Sequence, residues 1–87
     1  MNVREAVAAH IDDALFLDPP EMYDHCIIGI GERFGGVQCV AYDRDKCIEM
    51  LMKDMSWEDA EEYFSFNVIG AWVGDQTPIF VSKRGKL

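Results

Sequence analysis

Four glycines stand among apolar residues in IIGIGERFGGVQCVAYD, Ile27 to Asp43, a composition that invites comparison with a loop built to hold phosphate. A dinucleotide cradle needs G-x-G-x-x-G opening directly into a helix, so that pyrophosphate meets free N–H groups at the helix start. Here Phe34 stands where the third glycine belongs, and the following VQCVAY is β-branched and aromatic and too short before Asp43 to be that helix. The phosphate loop is rejected, and no cofactor is expected. Cys26, Cys39 and Cys47 lie 13 and 8 residues apart with no C-x-x-C pair, so no metal site is expected and reduced thiols fit better than a disulfide framework. His25 and Cys26 are adjacent in a strand-like pattern and should face opposite ways, which disfavours a Cys-His nucleophile pair. His10, at the border of an apolar stripe, reads as a satisfied, half-buried histidine. The remaining catalytic candidates are Cys39 or Cys47 with His10, and Asp75 beside Thr77. None shows a nucleophile, base and orienter in readable order, and the chain is not expected to be an enzyme.

Carboxylates offer a different chemistry. The chain carries 16 acidic against 8 basic residues, a net charge of −8. Lys83, Arg84 and Lys86 crowd the last stretch, so without them the body holds 5 basic against 16 acidic residues, a net −11. A body that negative repels nucleic-acid phosphate and anionic lipid and favours basic protein surfaces. The acids concentrate in SWEDAEEYF, where Glu58, Asp59 and Glu62 fall opposite an apolar side made by Trp57, Ala60, Phe64, Val68 and Ala71, with Glu61 near the border. Glu58, Asp59 and Glu62 are the candidate partner-binding residues, joined by Trp72 as an aromatic anchor. Asn67 falls on the apolar side and should satisfy its amide on backbone in the glycine-containing segment after it.

The elements that position these residues follow from capping and periodicity. Asn2 with Glu5 matches a reciprocal helix-start pattern, and Val3, Val7, Ile11, Ala14 and Leu15 share a face, predicting a first helix to about Leu17, stopped by Asp18-Pro19-Pro20. Cys26 to Gly31 and Val37 to Tyr42 predict a β-hairpin whose glycines supply positive φ at the turn, with Gly29 and Gly31 marking a bulge or a close backbone approach. Alternation places Cys26, Ile28 and Ile30 on one face and Ile27, Gly29 and Gly31 on the other; neither face is polar, so both need cover. Asp43 caps a second helix with Cys47, Ile48, Leu51, Met52 and Met55 inward, and Ser56 caps a third that Gly70 ends. A Gly74-Asp75 turn leads to a last strand, Thr77 to Val81, with Pro78 suited to an edge. The expected fold is a single α+β domain over residues 1–82 with a basic tail at 83–87. Its order is α-β-β-α-α-β, around a three-stranded, mainly antiparallel sheet. No run approaches the ~20 apolar residues that cross a bilayer, and MNVREAV lacks the signature of an export signal, so a soluble, cytoplasmic protein without membrane contact is expected.

Tyr42-Asp43, Phe66-Asn67-Val68-Ile69-Gly70-Ala71 and Gly74-Asp75-Gln76-Thr77-Pro78 resemble a set of small proteins encoded by bacteriophages and prophages, over about Tyr42 to Val81. The resemblance brings no activity with it and leaves out the N-terminal helix. It points to a host-cell setting, and with the acidic body it frames the leading expectation: a protein-binding protein that inhibits a host defence or nucleic-acid-binding protein with a basic surface, by phosphate mimicry or steric block, without binding nucleic acid itself. The alternative is a homodimer or assembly component paired through the sheet face around Gly29 and Gly31.

Overall fold

The computed structural model describes residues 2–32, 35–69, 74 and 76–83, with residue 69 described in its backbone alone. Asn2 starts α1 (Val3–Ala8), its Oδ1 accepting the Glu5 N–H at 2.8 Å while its Nδ2 donates to Glu5 Oε1. The helix stops far short of Leu17. Asp12 and Asp13 follow it where a helix C-terminus disfavours negative charge, and Asp13 turns the chain at φ 58, a conformation that aspartate tolerates. Val7 and Ile11 are buried as their spacing requires, and beyond the turn Ala14, Phe16 and Leu17 pack on the core by another route. Leaving the helix also frees the Leu17 N–H to donate to the buried Tyr42 hydroxyl at 2.9 Å.

The two prolines that forbid a longer first helix begin the next, α2 (Pro20–Tyr23), where a missing N–H costs nothing. A 3₁₀ turn (Asp24–Cys26) leads into β1 (Ile27–Gly31), which pairs antiparallel with β2 (Cys39–Asp43) to form the expected hairpin, with Gly35 at φ 70 in its loop. Phe34 lies outside the described residues. The pairing runs Ile27 with Tyr42 but Gly29 with Ala41, so Ile28 is an extra residue on β1. The bulge corrects the simple alternation: Ile27 and Ile30 now share the core face with Val40 and Tyr42, and Ile28 is exposed.

Asp43 then caps α3 (Arg44–Leu51), its carboxylate accepting the Lys46 N–H at 3.2 Å. Cys47, Ile48, Met50 and Leu51 are buried, whereas Met52, expected inside, is exposed just past the helix end. Ser56 caps α4 (Trp57–Phe64), which runs into a π-helical turn (Ser65–Ile69). β3 (Ile79–Val81) closes the sheet in the order β1-β2-β3. It lies parallel to β2, so the sheet is mixed, with one antiparallel and one parallel pairing. The connection between β2 and β3 is a crossover carrying α3 and α4, and a chain that crosses in this way re-enters the sheet in its original direction.

The result is an α+β domain. Side chains of Ile27, Ile30, Val40, Tyr42 and Phe80 meet the helices in one hydrophobic cluster. There Phe64 packs edge-on to Phe80, ring centroids 4.9 Å apart, and Phe80 stacks beside Tyr42. The register gives the opposite face to Gly29, Gly31, Cys39, Ala41, Asp43, Ile79 and Val81. At Gly31 the expected close backbone approach is instead a side-chain contact: a Cβ there would meet Ile79 Cδ1, the far end of a side chain that leans across the sheet.

Candidate interaction surface and the cleft beside it

Ala60 and Phe64 bury the inner side of α4 completely, which turns Glu58, Asp59 and Glu62 outward, exposed as their spacing predicts. Glu61 has a separate role. It accepts both guanidinium nitrogens of Arg44 at 2.7 and 2.9 Å, a bidentate pair that joins α4 to α3 and holds the Glu61 carboxyl below its ordinary range. The acids that remain on the outer face are therefore free of the structural pairing that occupies their neighbour.

Aromatic side chains share that surface. Trp57, expected on the apolar side, is 56% exposed because it occupies the first turn, and Phe66 in the π-helical turn is 76% exposed, with Tyr63 also open to solvent. Phe66 was legible in principle: counted at helical spacing from Ala60 and Phe64 it falls opposite the core. Asn67 is likewise exposed rather than buried, its Nδ2 donating to the Tyr63 carbonyl within the same turn at 3.2 Å. Trp72 and Ala71 lie outside the described residues, as do Gly70, Asp75, Arg84 and Lys86.

Beside this face lies a cleft of about 370 Å³, made where the extended segment 15–18 passes Tyr63, Asn67 and Phe80. Sequence periodicity hides it, because its near wall exists only when the first helix ends early. Among the described residues no lysine or arginine lines it. Asp18 stands at its edge, exposed, with no hydrogen-bond partner among the described residues.

The nucleophile candidates fall elsewhere. The 3₁₀ turn corrects the expected separation of His25 and Cys26, bringing His25 Nε2 within 3.6 Å of the Cys26 sulfur. Burial pushes the Cys26 thiol up, although the neighbouring Cys47 side chain works the other way. Burial pushes the Cys47 thiol up still more, with the neighbouring Cys26 adding to the effect. A fully buried, protonated thiol is a poor nucleophile. His10 is exposed rather than half-buried, and no hydrogen bond joins it to Cys39 or Cys47 among the described residues. Thr77 is engaged with the Gly74 carbonyl through both its N–H and its hydroxyl. Among the described residues no three His, Cys, Asp or Glu side chains converge as metal ligands, and no helix is long and apolar enough to cross a membrane. Compared with protein-family models, with curated proteins and with solved structures, the chain has no match in any of the three.

Proposed function

We propose that the chain is a protein-binding module that docks a basic surface of a partner protein on the outer face of α4. The observation that carries this reading is the juxtaposition of Glu58, Asp59 and Glu62, which have no ion-pair partner among the described residues, with exposed Trp57, Tyr63 and Phe66 on one short stretch of a strongly acidic molecule. Carboxylates speed encounter with a cationic partner, and aromatics supply the contact energy that charge alone does not. Trp72 keeps its proposed part as an anchor. The resemblance to phage-encoded proteins extends the proposal to a host setting, the cytoplasm, with a defence or nucleic-acid-binding protein as the class of partner and inhibition by occupation of its phosphate-binding surface as the mode.

The test couples capture with kinetics. A partner recovered from host lysate is measured against the wild type and a triple variant, Glu58→Lys, Asp59→Lys and Glu62→Lys. Association slows by about tenfold or more at low salt in the variant and its salt dependence flattens. Unchanged kinetics moves the contact off α4.

A second reading is favoured by the other sheet face, where exposed Ile79 and Val81 flank Ala41, Gly29 and Gly31. Small residues let a second copy approach closely, and pairing of like faces covers both. Sedimentation showing a strict monomer at high protein concentration removes this option.

A further inference from the structure

We infer that the cleft between segment 15–18 and α4 is a receptor for one cationic side chain, arginine above all, projected by the basic partner of the preceding reading, on which this inference rests. The cleft supplies what a guanidinium needs. Tyr23, Tyr63 and Phe80 provide aromatic walls, and Asp18 provides a carboxylate. Asn67 adds an acceptor: its Nδ2 is spent on the Tyr63 carbonyl, which leaves Oδ1 for a donor. Among the described lining residues there is no lysine or arginine, and Arg4, which rests on the Phe16 ring, is neutralised by Asp24.

The same chemistry is already realised once nearby. The Arg4 guanidinium lies 4.2 Å from the centroid of the Phe16 ring and is neutralised by Asp24 at 2.9 Å, so an aromatic face and a carboxylate together hold an arginine in this molecule. In the cleft Tyr23, Tyr63 and Phe80 stand with the Asp18 carboxylate, and none of the described lining residues is an arginine. About 370 Å³ is at the small end of ligand sites and suits one long side chain better than a cofactor. Tyr63 borders both the cleft and the acidic face of α4, so an arginine seated here leaves its neighbours in the partner facing Glu62 and Asp59. The occupant is thereby specified by charge complementarity: a basic segment with one arginine that enters and others that stay outside.

Two soluble probes test this on the full chain: a short glycine-serine peptide with one central arginine, and the same peptide with citrulline, which keeps the shape and removes the charge. In amide chemical-shift titrations the arginine peptide moves Leu17, Asp18, Tyr63 and Asn67, and the citrulline peptide binds about tenfold more weakly, as loss of a cation–π contact and an ion pair implies. Asp18→Asn, at an exposed position, weakens the arginine peptide about fivefold with an unchanged melting temperature. Equal binding of the two peptides, no binding of either, or an affinity insensitive to Asp18→Asn overturns the cleft. Shifts confined to Glu58, Asp59 and Glu62 also overturn it while leaving the docking role of α4 intact, because the charge-reversal kinetics test that role separately.

Discussion

Cys26 and Cys47 show how little a residue's type decides about its chemistry. Both thiols are fully buried, Cys26 in the 3₁₀ turn and Cys47 in α3, and burial holds both in the protonated form. The nearby His25 ring does not make a thiolate out of Cys26, since the low-polarity surroundings penalise the charge more than one neighbour offsets it. The expected outcome is slow modification. At pH 8 the native protein reacts with a thiol reagent such as DTNB at Cys26 and Cys47 at least ~100-fold more slowly than the unfolded chain, and denaturant restores the rate in step with loss of structure. Fast stoichiometric labelling of Cys26 in the native state would show an accessible thiolate and reopen the catalytic reading.

At the scale of elements, the bulge in β1 decides which residues face the core. Gly29 sits at φ 154, beyond the range that side chains adopt comfortably, while no atom within 4 Å would obstruct an added Cβ. Gly29→Ala is therefore strained through its backbone alone and costs about 1–3 kcal/mol, seen as a lower urea midpoint at unchanged m-value. A midpoint equal to wild type means that the bulge relaxes away and Ile28 changes side. The glycines of β1 were legible as markers of a bulge or a close backbone approach; the structure shows the bulge at Gly29, whereas at Gly31 the close neighbour is the Ile79 side chain and not a backbone. The caps at Asn2, Asp43 and Ser56 were legible too, because each is a local side-chain bond to an N–H three residues on. What spacing alone missed depended on distant partners. The early end of α1 follows from Asp13 and from the pull of Tyr42 on Leu17, 25 residues away; the parallel entry of β3 follows from the crossover; the cleft needs both. Of the candidate interaction residues, Glu58, Asp59 and Glu62 were readable because an exposed helix face needs only periodicity. Phe66 follows the same helical spacing onto the outer face, whereas Asp18 gained its place from a turn that periodicity does not describe.

For the whole molecule, stability should be bounded on both sides by titrating groups held in unequal environments. Burial would raise the Asp43 carboxyl, but Lys83 at 3.1 Å and the Lys46 N–H outweigh it, so its folded value lies low; Glu61 is lowered by Arg44. Groups depressed in this way stabilise the fold fully above the unfolded carboxylate value of about 4 and lose that contribution as pH falls through their folded values. Burial acts in the opposite direction on Tyr23, Cys26 and Cys47, and pushes Tyr42 up to about 12. Their contribution is complete below the unfolded thiol value of about 8.5 and is lost as pH rises above it, the thiols beginning before the phenols because their unfolded value is lower. Self-repulsion of a chain at −8 adds to the alkaline loss and opposes the acid one, so the acid limb is the shallower of the two. Thermal melts should show a plateau between about pH 5 and 8. Asp43→Asn isolates the acid limb, because asparagine still accepts the Lys46 N–H as a helix cap but has no proton to gain. Since Lys83 is largely exposed, the pair is worth under about 1 kcal/mol, and the variant starts lower by no more than that at pH 7 and converges with wild type as pH falls below the folded Asp43 value. Parallel curves that never converge would place the role of Asp43 in packing rather than charge.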